Sequence, residues 1–115
     1  MNALDRRREE RVRCKLKVEE VNRRSCPGTY LLDISSLGAQ LETRYPIAIG
    51  DSAEFGLSLP SVRPKENEAY RFAGRVAWIK RIDLAPMRYR IGLSFFTQIN
   101  AWKKFLAGLR YQPIQ

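Results

Sequence analysis

Histidine is absent from this 115-residue sequence, which excludes Ser-His-Asp and Cys-His catalysis and every metal site built on imidazole. The only cysteines, Cys14 and Cys26, are too few for a zinc knuckle or a disulfide scaffold. No apolar run approaches the ~18 residues that a membrane helix needs, and the N-terminal segment MNALDRRREER lacks the apolar core of a secretory signal. We therefore expect a cytoplasmic chain without membrane insertion and with free thiols, a Cys14–Cys26 disulfide being the alternative.

The groups that carry catalysis are scarce as well. The sequence has no glycine-rich phosphate loop and no acidic cluster with metal-ligand spacing, and neither cysteine lies in a pattern typical of a nucleophile. We therefore expect neither an enzyme nor a bound metal or cofactor. The length fits a single domain with one hydrophobic core.

Positive charge is abundant and unevenly distributed. Lys and Arg total 21 against 12 Asp and Glu, a net charge of +9. Counted along the chain, residues 1–17 carry +4, residues 18–62 carry −3 and residues 63–115 carry +8. Fifteen of the 21 basic residues are arginine, whose planar fork grips a phosphate or a guanine edge with two hydrogen bonds. The composition indicates an anionic partner that carries phosphate.

Apolar residues alternate with period two through most of the chain, the pattern of strands with one buried face. It predicts strands over residues 12–19, 29–34, 38–45, 52–59, 70–82 and 87–96. The period then changes, and the spacing of Ile99, Trp102, Leu106 and Leu109 predicts an amphipathic helix over about residues 98–110. We expect an all-β fold with a C-terminal helix, an antiparallel barrel or sandwich of about six strands. Trp78 and Trp102 both fall on the predicted buried faces.

Two motifs stand out from this pattern. Arg7 and Arg11 form an R-x-x-x-R preceded by Arg6, and residues 33–38 read DISSLG, a D-x-S-x-x-G at the end of the second predicted strand. Taken alone, the second motif is typical of a β-turn in which Asp and Ser bond the local backbone and Gly takes a positive φ.

Together with GRVAW at residues 74–78 and RIGLSF at residues 90–95, the two motifs occur in an order and spacing that resemble the PilZ domain, a bacterial receptor for cyclic di-GMP. The resemblance covers about residues 6–110. It implies a six-stranded antiparallel β-barrel with a C-terminal helix over residues 12–115, preceded by an arginine-rich arm at residues 1–11. It also implies a non-enzymatic receptor.

The resemblance further implies which residues bind the ligand: Arg6, Arg7, Arg11, Asp33, Ser35 and Gly38. An Arg fork matches the O6 and N7 acceptors of guanine or a phosphate, and a carboxylate suits the guanine N1–H and amino group. Ser35 can bond a phosphate or a base edge, and Gly38 permits a close backbone approach. Arg6 leads to the hypothesis that a stacked cyclic di-GMP dimer binds, two ligands per protomer.

The arm has almost no apolar content, so we expect it to be mobile without ligand and ordered with it, which would pass the signal to an unidentified partner protein. Monomer and homodimer both stay open. One alternative is a small basic barrel that binds RNA or single-stranded DNA, disfavoured because most aromatic residues fall on the predicted inward faces. Another is a PilZ-like adaptor that binds proteins and no nucleotide.

Overall fold

A computed structural model describes residues 11–60, 67–84, 86–96 and 99–110 of the chain. The described part forms one antiparallel sheet and one helix. Their bounds are β1 (Val12–Lys17), β2 (Glu20–Val21), β3 (Arg24–Ser25), β4 (Tyr30–Ile34), β5 (Gly38–Thr43), β6 (Ser52–Pro60), β7 (Asn67–Leu84), β8 (Met87–Phe95) and α1 (Ile99–Arg110). The strand order across the sheet is β1-β4-β5-β8-β7-β6-β2-β3.

The segment between β1 and β2 curls this sheet. β1 pairs with β4, whereas β2 pairs with β6 on the far side of the sheet. The change of partner takes two residues, because the amide of Val18 donates to Thr29 O at 2.9 Å and the amide of Glu19 donates to Gly56 O at 2.8 Å. The sheet is therefore bent into a curled half-barrel.

The predicted fold class is confirmed at the level of a mostly antiparallel β structure with one C-terminal helix. All six predicted strands are present, but the count of six is not confirmed, because eight strands form the sheet. The additional pairing comes from β2 and β3, which form a short hairpin in the interval between the first two predicted strands. Asn22 and Arg23, with φ of 52° and 65°, make that hairpin turn.

Aromatic rings fill the inside of the curled sheet. Phe72 stacks on Phe55 and Phe95 with ring centroids 5.5 and 5.2 Å apart. The helix adds Phe105, which is fully buried and meets Phe72 and Tyr70 edge-on at 5.4 and 5.1 Å. Burying each such side chain contributes about 1.5–3 kcal/mol, so α1 closes the core rather than lying loosely on it.

The helix confirms one part of the predicted apolar stripe and corrects another. Trp102 is buried as expected, but the deepest residue of α1 is Phe105, which the predicted stripe passed over. Cys26 is also buried in the core, and both cysteines are free thiols. None of the described helices is long and apolar enough to cross a membrane.

Candidate functional site

The D-x-S-x-x-G segment forms the tight connection from β4 to β5. Ser35 is fully buried, and its Oγ accepts hydrogen bonds from the amides of Leu37 at 3.1 Å and Gly38 at 3.3 Å. The Ser35 amide donates in turn to Gly38 O at 2.8 Å. In this structure the serine stabilises the turn that sets the position of Asp33, so its contact with a ligand stays a prediction.

Gly38 is required for a different reason from the one that turn chemistry suggests. Its φ is not among the positive values, which occur at Gly28 and Gly50. A Cβ on Gly38 would instead collide with the carbonyl oxygen of Leu93 on β8, a backbone atom with little room to move. The glycine lets β5 and β8 approach closely at this end of the sheet; whether it also lets a ligand approach is untested.

Arg11 and Asp33 are brought together at the start of β1. Arg11 Nη1 donates to Asp33 Oδ1 at 3.0 Å, with the arginine side chain half exposed and the carboxylate 16% exposed. The two predicted site residues therefore share one location, although they are 22 positions apart in sequence. Arg6 and Arg7, the other predicted ligand-binding arginines, lie outside the described residues, as does the rest of the arm before Arg11.

A row of residues on the outer face of the sheet leads away from this ion pair. Successive Cα partners join Arg13, Asp33, Gln40, Gly92 and Trp78 across β1, β4, β5, β8 and β7. Four strand spacings make this row about 19 Å long. We call it the Asp33 row.

A groove of about 270 Å³ lies on the Asp33 row. The residues that line this outer-face groove include Arg11, Gly38, Gln40, Trp78, Gly92 and Ser94. It has the Arg11 cation at one end, the Gln40 amide in the middle and the Trp78 ring at the other end, and Arg11 is paired with the neighbouring Asp33 carboxylate. That combination suits a ligand with a planar, hydrogen-bonding base and a negative charge.

The expectation that Trp78 lies in the core is wrong, and a β-bulge is the reason. Val76 pairs with Leu93, but Trp78 pairs with the next residue of β8, Gly92, so β7 holds one extra residue at this point. The extra residue reverses the alternation, and Trp78 turns to the outer face with 39% of its surface exposed. Ile79 takes the inward position instead and packs against the core.

The absence of a side chain at Gly92 leaves room for the Trp78 indole. A Cβ on Gly92 would meet Nε1, Cε2 and Cδ1 of Trp78, so the ring lies against bare backbone at this point. Sequence reasoning missed Gln40, Trp78 and Gly92 as site residues. The sequence signal for Trp78 and Gly92 was the occurrence of GRVAW and RIGLSF as pairing segments. Only the strand register shows which residues of the two segments lie opposite one another.

Cys14 lies on β1, on the opposite face of the β1–β4 pair from Arg13 and Asp33, and its thiol is poorly reactive. Its Sγ donates to Leu31 O at 3.5 Å. Burial first, and the negative charge of Asp33 second, raise the pKa of the Cys14 thiol from 9.0 to about 11. The thiol is therefore protonated at neutral pH and unsuited to nucleophilic chemistry.

A second groove, of about 250 Å³, lies near β2 and the first half of β7 and has the opposite character. Arg71, which lines it, donates to Glu20 at 2.7 Å and to Glu54 at 3.1 Å. These hydrogen bonds and charges raise the pKa of Arg71, led by the bond to Glu20. Because its cation is already paired with two carboxylates, this groove is poorly suited to an anion.

Comparison with known proteins agrees with the geometry. A model of the PilZ domain matches residues 5–105, so the chain belongs to the PilZ domain family. No curated protein matches the chain. PilZ domains are binding domains for cyclic di-GMP rather than enzymes, which makes the outer-face groove the first place to look for a ligand site.

Proposed function

We propose that this protein is a receptor for cyclic di-GMP and that the ligand binds in the outer-face groove. The observation that carries the proposal is the arrangement of the Asp33 row, with the Arg11–Asp33 pair at one end and exposed Trp78 at the other. Arg11 offers a fork for a phosphate or a guanine Hoogsteen edge, and Asp33 an acceptor for the guanine N1–H and amino group. Trp78 offers a face on which a purine can stack.

Arg7 completes the site in this proposal, because the R-x-x-x-R motif pairs it with Arg11. Titration calorimetry with cyclic di-GMP tests this on the wild type and on an Arg7→Ala/Arg11→Ala variant. We expect micromolar or tighter binding by the wild type that the variant loses. An Arg24→Ala/Lys103→Ala variant removes the same charge from two exposed positions away from the groove and serves as the control. Wild-type heat indistinguishable from dilution would refute the proposal.

The signal in this proposal passes through residues 1–11. Binding of two or more arginines of the arm orders that segment against the sheet, and a partner protein reads the change. Hydrogen exchange of residues 1–11 with and without cyclic di-GMP measures it directly. We expect protection to rise on binding, and unchanged protection in a complex that calorimetry shows to be saturated would rule this mechanism out.

The same titration measures how many cyclic di-GMP molecules bind per protomer, which in this proposal depends on Arg6. If its guanidinium reaches a second, stacked ligand, the wild type binds two cyclic di-GMP molecules per protomer and an Arg6→Ala variant binds one. A wild-type stoichiometry near one would remove the dimer from the proposal and leave the receptor function in place.

The exposure of Trp78 also favours a second candidate. A stacking aromatic on a basic sheet face is typical of domains that bind RNA or single-stranded DNA, and this ring is not inward as the sequence suggested. A gel shift with random RNA at several salt concentrations separates the two. Salt-sensitive RNA binding together with no effect of cyclic di-GMP would favour the nucleic-acid module. Binding of neither would favour a PilZ-like adaptor for proteins.

A further inference from the structure

Arg90 is a partly buried cation that makes no ion pair among the residues that the structure describes. It lies on the outer face of β8, and its Nε is buried with no hydrogen-bond partner in that part of the chain. Arg88, the other partly buried arginine of the described chain, donates to Glu42 at 2.8 Å in an ion pair with 27% and 14% exposure. Buried donors are ordinarily paired, so the Arg90 Nε calls for an explanation.

Neither cross-strand neighbour of Arg90 makes an ion pair with it among the described residues. Glu42 is its Cα partner on β5, but that carboxylate is engaged by Arg88. Lys80 is its Cα partner on β7 and makes no ion pair within the described residues. Two cations thus face each other directly on neighbouring strands, an arrangement that is destabilising unless an anion joins it.

The cation pair lies next to the outer-face groove. Arg90 is two residues from Gly92 on β8, and Lys80 is two residues from Trp78 on β7, all on the same face of the sheet. Two residues of strand correspond to about 7 Å. A base that stacks on Trp78 therefore lies one row of side chains away from Arg90 and Lys80.

We propose that Arg90 and Lys80 form a phosphate subsite for the nucleotide whose base stacks on Trp78. The inference rests on the proposed function and adds to it a place for a phosphodiester. The arginine turns its guanidinium toward the groove and donates from its Nε and one Nη to two phosphate oxygens, and the lysine adds a point charge from the opposite strand. A phosphate there gives the buried Nε an acceptor and balances the two facing cations.

The test compares Arg90→Met, Lys80→Met and Lys103→Met by titration with cyclic di-GMP. Methionine keeps the apolar stem and removes the charge, and Lys103, exposed on α1, controls for the loss of one positive charge. We expect each of the first two variants to weaken binding about tenfold, as one charge-assisted contact is worth, and Lys103→Met to bind like the wild type. The melting temperature of Arg90→Met should not fall, because the variant removes an unpaired buried donor.

Three results separate the possible failures. Wild-type affinity in both Arg90→Met and Lys80→Met would overturn the phosphate subsite and leave the receptor function standing. Absence of binding by the wild type would overturn both proposals. A parallel titration with inorganic phosphate identifies the source: binding of phosphate that Arg90→Met loses, with unchanged affinity for cyclic di-GMP, would mean an anion site unrelated to the nucleotide and would also overturn the inference.

Discussion

The indole of Trp78 occupies the space that a Cβ on Gly92 would fill, on the neighbouring strand and across a bulge. Each residue depends on the other, because the ring can lie along the sheet only where β8 presents bare backbone. The bulge in β7 supplies the orientation and the glycine supplies the room. The exposed aromatic at the end of the outer-face groove therefore depends on both strands of the β7–β8 pair.

Gly92→Ala should displace the indole and weaken cyclic di-GMP binding about tenfold, the loss expected for one stacked base. The fold should survive with a loss of about 1 kcal/mol, because a side chain rather than backbone must move. Calorimetry measures the affinity and chemical denaturation the stability. Gly56→Ala is the matched control, since a Cβ there makes only ordinary contacts with the Arg71 side chain. Unchanged affinity in Gly92→Ala would separate Trp78 from the ligand.

Gly38→Ala should lower the stability of the fold, in contrast to the loss of affinity expected for Gly92→Ala. The added methyl meets the Leu93 carbonyl, and β5 and β8 must separate to accept it. We expect a loss of about 1–3 kcal/mol, the range for overpacking at a site that cannot relax. Chemical denaturation beside Gly56→Ala provides the check, and equal stability of the two variants would show that the strands have more freedom than their spacing indicates.

The Arg11–Asp33 pair should matter for binding far more than for folding. With the arginine half exposed, the pair contributes below about 1 kcal/mol to stability. Arg11→Ala, Asp33→Asn and the double variant form a cycle in which we expect losses of affinity that do not add, because both residues hold one ligand. Strictly additive losses would mean that the two side chains contact the ligand independently.

The thiol of Cys14 should react slowly with iodoacetamide in the folded protein. Its pKa is raised to about 11, so in a Cys26→Ala background the labelling rate should rise with a midpoint well above pH 9. Asp33→Asn should shift that midpoint down, because the carboxylate is the second cause of the raised pKa. The sign for stability follows: the unfolded thiol ionises first, so folding stability falls as the pH rises from about 9 to 11. A midpoint at the ordinary cysteine value would show that Cys14 is not desolvated.

Local pattern was enough to predict the strands that bear the site. Alternating residues located β1 and β4 to β8, and the D-x-S-x-x-G motif located the β4–β5 turn. Those features depend on neighbours within a few residues, which a sequence displays directly. Arg11 and Asp33 meet because β1 and β4 pair at that end of the sheet.

The rest of the site depends on register between distant strands. One extra residue between Val76 and Trp78 moved the tryptophan from the expected core to the outer face, and nothing in the period-two pattern marks where a bulge falls. Phe105 was missed for a related reason, since two overlapping apolar stripes fit the helix and only packing against Phe72 selects one. Gln40 could be recognised as a groove residue only from its pairing with Gly92.

The central claim, that cyclic di-GMP binds in the outer-face groove, is tested most directly by the indole N–H signals in a ¹H–¹⁵N titration. The chain has two tryptophans, and they provide a built-in control: Trp78 lines the groove, whereas Trp102 belongs to α1 and is buried. We expect cyclic di-GMP to shift the Trp78 signal strongly, together with the amides of Gln40 and Gly92, and to leave the Trp102 signal in place. A saturated complex in which Trp78 does not move, or in which the largest shifts fall around Arg71, would contradict it.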